Sequence, residues 1–209
     1  MIQQGTDAWH VERLGKATAS KIQDIIASGG KSAGRKNYCA QLVTERLTGK
    51  HEEGFRSTAM DHGNETEAHA RMAYAFLHSV QVSEAPFVNH PEIAMTGASP
   101  DGFVGDDGLI EIKCPNTATH IATLMGASIP AKYDSQMRWQ MACTGRAWCD
   151  FVSFDPRLPE SMRMHAQRVH RCEERNAVLE REVRKFLSEV DEMVDLLNHK
   201  FGTPQERAA

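Results

Sequence analysis

Between residues 99 and 115 the chain reads Ser-Pro-Asp101-Gly-Phe-Val-Gly-Asp-Asp-Gly-Leu-Ile110-Glu111-Ile112-Lys113-Cys-Pro, the segment that carries most of the functional information in the sequence. Strand-forming residues at 101–104 and 109–114 flank Gly105-Asp106-Asp107-Gly108, which spells a hairpin turn. Side chains alternate across a strand, so Ile110 and Ile112 share one face and Glu111 and Lys113 the other. Such a strand is anchored in a core on one side and presents charge to a cleft on the other. The turn brings Asp101 beside Glu111. Two carboxylates and an ammonium in one place suit a hard divalent cation with a lysine next to the reacting water. An isolated Glu-x-Lys is ordinarily a solvated strand face. The preceding Ser-Pro-Asp-Gly turn, the short-hairpin carboxylate spacing and an acidic helix upstream argue for more here.

Elements on either side extend the pattern. Ser20-x-x-Gln23 resembles a capping box before Ile22, Ile25 and Ile26 at helical spacing. Gly29–Lys36 reads as a flexible basic loop; its Gly30-Lys31-Ser32 is no phosphate loop, because the glycine required five residues earlier is Ile25. Helices are expected over 37–47 and 58–78, the latter with Met60, Ala70, Ala73, Tyr74 and Leu77 as its apolar stripe. Strands are expected near 81–88, 93–97, 101–104 and 109–114, helices near 117–125 and 132–144, and strands at 147–154 and 162–170. The last helix, about 173–200, carries Leu179, Val183, Phe186, Val190, Met193 and Leu197 at alternating steps of four and three, a stripe that packs on or extends the core. This order predicts an α/β (α+β) fold with a central mixed β-sheet flanked by helices. With no linker or repeat in view, residues 1–209 are expected to form a single domain.

Composition excludes several classes. The opening residues show no basic n-region followed by an apolar run, so no secretory leader is expected. No stretch approaches the roughly 18 apolar residues of a membrane span, so no membrane partner is expected. Five scattered cysteines (39, 114, 143, 149 and 172) contain no Cys-x-x-Cys and read as thiols in a reducing cytoplasm. The net charge of −4 does not announce a nucleic-acid binder, yet residues 10–50 hold eight Lys/Arg against three acids, enough to place positive potential near phosphates. Trp9 and Trp139 read as core or core-edge residues, and Trp148 as the start of a buried strand. None of the ten histidines forms a ligand spacing, although His62 and His69 flank the acidic helix.

That helix contains Gly63-Asn64-Glu65-Thr66-Glu67-Ala68-His69-Ala70-Arg71. Glu65 and Glu67 cannot both face one cleft, since residues two apart on a helix point in different directions. The pattern Asp-x9-Glu-x-Lys resembles the core of the restriction-endonuclease-like nucleases. More specifically, Trp9-His10-x-x-Arg13-Leu14-Gly15-x-x-Thr18-Ala19-Ser20, Gly63-x-x-x-Glu67, Ser99-Pro100-Asp101-Gly102, Glu111-Ile112-Lys113-Cys114-Pro115 and Tyr133-x-x-Gln136-x-x-x-Gln140-Met141 stand in the order of lambda-type phage exonuclease, the viral recombinase and alkaline exonuclease family. The resemblance runs from about residue 5 to 157.

The resemblance implies a restriction-endonuclease-like core in which Glu67, Asp101, Glu111 and the carbonyl of Ile112 hold Mg²⁺, with Mn²⁺ as a possible substitute. Asp101, Glu111 and Lys113 would be catalytic, with Lys113 orienting or deprotonating the attacking water. It further implies that Arg13, Ser20, Ser99 and Gln136 surround the terminal 5′-phosphate of the strand being digested. The implied activity is 5′→3′ exonucleolytic degradation of one strand of linear double-stranded DNA, leaving a 3′ single-stranded overhang for recombination. The implied partners are DNA ends, two further copies of the chain in a homotrimer, and a single-strand annealing recombinase. Two rivals are an endonuclease or junction resolvase on the same core, against which Arg13, Ser20 and Gln136 argue, and a catalytically silent DNA-binding module, against which Asp101, Glu111 and Lys113 argue.

Overall fold

The computed structural model describes residues 4–51 and 58–202, with the side chains of residues 28, 30 and 58–65 outside the description. Met60, His62, Gly63 and Glu65 therefore lie outside the described side chains. A mixed five-stranded sheet is the frame: β2 (Val82–Ser83), β5 (Gly102–Val104), β6 (Gly108–Lys113), β7 (Trp148–Phe154) and β8 (Met164–His170), in the order β2-β5-β6-β7-β8. Only the β6–β7 pair is parallel; the other three are antiparallel. A smaller sheet joins β1 (Ala17–Thr18), β4 (Thr96–Ala98) and β3 (Val88–Asn89), with β4 in the middle.

The sheet is covered on both faces, as the alternation of β6 requires. Ile110 and Ile112 pack with Val104, Val152 and Phe154 against Ala70 and Tyr74 of α4 (Thr58–His78). On the opposite face Leu109, Cys149 and Phe151 meet Met137 and Met141 of α6 (Ala131–Thr144). A third cluster lies among α2 (Ile22–Ile26), α3 (Ala33–Thr48), α6 and α7 (Glu173–Phe201), where Tyr38 and Phe186 stack at 5.5 Å. Leu179, Val183, Phe186 and Val190 are buried there as the stripe demands, whereas Met193 near the far end is exposed, as is Leu77 at the end of α4.

Elsewhere local chemistry overrides the sequence reading. The span 81–88 yields only two short strands, because Pro86 has no N–H to give a ladder. The expected strand at 93–97 begins only at Thr96: the Nδ1 atom of His90 accepts from the Glu92 and Ile93 amides at 3.2 and 3.1 Å, folding that stretch into a turn, and Met95 follows with a φ of 58°. The basic loop at 29–36 is largely helical, because the Ser32 hydroxyl caps α3 by accepting from the Arg35 amide at 3.1 Å. Arg35 is then buried against Glu189, and Arg46 pairs with Asp191, so part of the local positive charge is neutralised internally. Ser20 forms no capping box; it sits in a 3-10 turn (Ala19–Lys21), and α2 has no side-chain cap. α1 (Asp7–Arg13), capped by Thr6, stands where the sequence pattern predicts no element.

Gly108 tests the parallel pair. A Cβ at this position would lie 2.1 Å from the Trp148 ring, its registered partner on β7. Gly108→Ala must displace the indole or part the strands, so a loss of about 1–3 kcal/mol in urea-unfolding stability is expected. An unchanged midpoint would mean that the ring moves freely.

Candidate active site

Glu111 is fully buried beneath α6, deeper than a cleft-facing strand residue need be. A carboxylate so placed requires partners. Gln136 Nε2 donates to its Oε1 at 2.7 Å and Gln140 Nε2 to its Oε2 at 2.5 Å, while Lys113 Nζ forms an ion pair with Oε1. The two glutamines stand one turn apart on α6, so a single helix face clamps both oxygens. Lys113 is half-buried, with its ammonium 5.2 Å from the Tyr133 ring centroid. Burial favours the neutral amine, but Glu111 and Asp101 outweigh it and hold the group protonated above its ordinary range.

Asp101 precedes β5 by one residue, and its Oδ2 accepts from the Ile112 amide at 2.6 Å. Burial, joined by the charges of Glu111 and Glu67, raises its pKa well above the usual carboxylate value. Glu67 reaches the same region from α4 and accepts from Arg71 Nη2 at 2.8 Å. Its pKa is also raised, by burial first, with Glu111 adding and Arg71 and Lys113 opposing. The structure thus gathers Glu67, Asp101, Glu111, Ile112 and Lys113. Among the described residues no three acidic, His or Cys side chains converge in an arrangement that could hold a metal ion as they stand; each carboxylate is turned onto its own donor. His69 is exposed.

Arg13, Ser20, Ser99 and Gln136, from four separate segments, line one cavity of about 260 Å³. The Arg13 guanidinium lies 3.7 Å from the Trp9 ring centroid, and Trp9 Nε1 donates to Ser99 Oγ at 3.0 Å, so the indole orients two of the four. Burial lowers the Arg13 pKa to about 10, with Tyr38 and Glu45 opposing, which leaves it cationic at neutral pH. Its Nε is buried without a partner. Ser20 caps no helix, and its hydroxyl lies 3.5 Å from Thr18 Oγ1. A larger cavity of about 430 Å³ among α2, α6 and α7, lined by Ile26, Val178 and Leu179, contains none of the expected site residues.

The sequence pattern assigns no site role to Gln140, nor to Trp9 and Thr18, which line the cavity. The signal for Gln140 was present: two amides four apart on a helix face otherwise bearing Met137 and Met141. Trp9 is half-buried at the core edge, as expected, yet it also lines the cavity.

Asp101 carries a pH-dependent prediction. Its pKa is higher folded than unfolded, so the folded chain holds that proton more tightly. The resulting stabilisation is present at acid pH and is lost as pH rises from the ordinary value of 3.8 through the raised folded value. Asp101→Asn keeps an oxygen for the Ile112 amide. It should raise the melting temperature in chelator at neutral pH and flatten the dependence between mildly acidic and neutral pH. Thermal scans showing the parent more stable than the variant at neutral pH would refute this.

A family model described as the YqaJ-like viral recombinase domain matches residues 8–147. The fold is similar to crystal structures of the alkaline exonuclease LHK-Exo from Laribacter hongkongensis, one of them a complex with dAMP, at 47% identity and a TM-score of 0.88, over 93% of this chain and 97% of that one. A phage-related exonuclease from Haemophilus somnus 129PT, 17% identical with a TM-score of 0.61 over 87% of this chain and 94% of its own, shares the fold. No curated protein matches. Among the described residues no helix is long and apolar enough to cross a membrane.

Proposed function

The chain belongs to the YqaJ-like viral recombinase family and is a deoxyribonuclease, and from that premise we propose that it digests one strand of linear duplex DNA from a 5′-phosphorylated end. Digestion runs 5′→3′ and leaves a 3′ single-stranded tail. The observation that carries this reading is the cavity in which Arg13, Ser20, Ser99 and Gln136 meet, joined to Glu111 through Gln136. An end-capturing pocket beside the carboxylates suits an exonuclease better than an endonuclease.

Glu67, Asp101 and Glu111, with the Ile112 carbonyl, would hold Mg²⁺, or Mn²⁺ in its place. The fit rests on the donor set: these are hard oxygen ligands, and the carboxyls of Asp101 and Glu67 are pushed up in pKa by burial first and by the charge of Glu111, a charge excess that a hard cation relieves. When bound, such an ion polarises the scissile phosphate and eases ionisation of a water. Lys113 Nζ, kept protonated by Glu111 and Asp101, offers a positive charge and N–H donors to the developing phosphorane. Arg13 presents a forked donor to the terminal phosphate, and Ser20 and Ser99 add hydroxyls. Gln140 holds Glu111 in place.

The same reading covers residues 1–209 as one domain acting in the cytoplasm as a ring-shaped homotrimer, with a single-strand annealing recombinase taking up the exposed tail. A ring retains DNA topologically, which suits a chain whose net charge of −4 gives little electrostatic hold. The deciding experiment digests end-labelled duplexes bearing 5′-phosphate, 5′-hydroxyl or covalently closed ends, with and without Mg²⁺. Rapid Mg²⁺-dependent loss of the 5′-phosphorylated strand alone is expected. Cleavage of closed ends would return the endonuclease alternative.

A further inference from the structure

Gln136 belongs to two places at once. Its Nε2 lies 2.7 Å from Glu111 Oε1, and the same side chain lines the cavity that holds Arg13, Ser20 and Ser99. A carboxamide has two N–H donors and an acceptor oxygen in one plane, so the contact with Glu111 leaves a second N–H for a ligand in the cavity. Gln140 makes the matching contact to Glu111 Oε2, but it is fully buried, accepts from the Cys149 thiol at 3.8 Å, and does not line the cavity.

We propose that Gln136 is a positioning residue that couples occupation of the cavity by a terminal phosphate to the placement of Glu111 for metal binding. This rests on the 5′-phosphate reading of the cavity. A phosphate accepting the second N–H fixes the amide plane. The first N–H is then held on Oε1, and the carboxylate is set in one orientation. Without the phosphate, the amide can turn about its terminal torsion, which has a broad preference, and Glu111 is held on that side by Lys113 alone. Coupling of this kind is reciprocal: the phosphate tightens metal binding and the metal tightens end binding.

The test measures Mn²⁺ affinity by calorimetry on the intact protein bound to duplexes whose terminal linkage is a non-hydrolysable phosphonate, bearing either a 5′-phosphate or a 5′-hydroxyl. The parent is expected to bind Mn²⁺ about five- to tenfold more tightly with the phosphorylated end. Gln136→Met and Gln136→Asn, which either lack the amide or cannot span both groups, should bring that ratio to about one. Both variants leave Gln140 and Lys113 on Glu111, and thermal melting verifies the fold. Gln140→Met should weaken Mn²⁺ binding at both ends alike and keep the ratio, which separates coupling from simple support of Glu111. A ratio that survives in Gln136→Met overturns the proposal in favour of direct coordination of the terminal phosphate by the metal. A parent ratio of one, with the phosphorylated duplex still bound more tightly overall, also overturns it while sparing the cavity reading. Equal affinity of the parent for both duplexes removes the cavity reading, and the coupling with it.

Discussion

Lys113→Ala, Asp101→Ala and Glu111→Gln are each expected to abolish digestion of a 5′-phosphorylated duplex, with a loss of at least about 10²–10³ in rate, while the protein stays folded. They should differ in what else is lost. The two carboxylate variants should weaken Mg²⁺ binding. Lys113→Ala should bind metal and DNA and still fail to turn over, since the ammonium is placed to meet charge that appears only as the phosphorane forms. Glu111→Gln is preferred to alanine because its amide oxygen still accepts from Gln136 or Gln140. Alanine would leave both amides without that acceptor, at about 1–3 kcal/mol for the buried Gln140. Calorimetry and a single-turnover assay on the same preparations decide the matter. Near-parental turnover by Lys113→Ala would remove its assigned role.

The second large effect concerns the strand end. Arg13→Ala should slow digestion of 5′-phosphorylated duplex by about 10- to 150-fold, the equivalent of a charge-assisted contact of roughly 1.5–3 kcal/mol. It should scarcely alter a 5′-hydroxyl end, so the preference between the two falls by a similar factor. The metal site is left intact because Arg13 touches none of the carboxylates; its visible contact is the Trp9 ring. Equal rates of the parent enzyme on both ends would count against the pocket itself. Arg13→Lys is an instructive intermediate, since it keeps a charge and loses the planar fork that lies on the indole.

The hairpin, its two-faced second strand and the helices at 58–78, 132–144 and 173–200 were legible because hydrophobic periodicity is strong there, although Leu77 and Met193 of the stripes are exposed. Failures of the reading fell where a local hydrogen bond decided the backbone. The ring of His90, the hydroxyl of Ser32 and the missing N–H of Pro86 each redirected a segment that hydropathy alone could not resolve. Glu111 and Lys113 could be found from spacing on one strand and Asp101 from the hairpin that precedes it, whereas Glu67 came from family resemblance. Their support could not: nothing in the pattern Glu-x-Lys foretells that α6 buries Glu111 completely, because that depends on a helix more than twenty residues away. The cavity residues were reached through family resemblance alone, since Arg13 and Ser20 taken singly look like a surface arginine and a helix cap. Glu65 and Glu67 illustrate a limit of another sort, where helix geometry says one and not which.

The lone parallel pairing in the large sheet has a bearing on how the protein comes into being. Neighbours that run parallel cannot be joined by a tight turn; the chain must leave the sheet, cross it and return. Between β6 and β7 that excursion is α5 (Thr117–Leu124) followed by α6, the helix that delivers Gln136 and Gln140 to Glu111. The β5–β6 hairpin is local and can close early, placing Asp101 against Glu111, whereas contacts 25 and 29 residues apart in sequence must wait for the crossover. Sequence separation thus makes the acidic pair the local part of the site and its glutamine clamp the non-local part. Completion of the site therefore depends on the packing of the crossover helix and not on the hairpin alone.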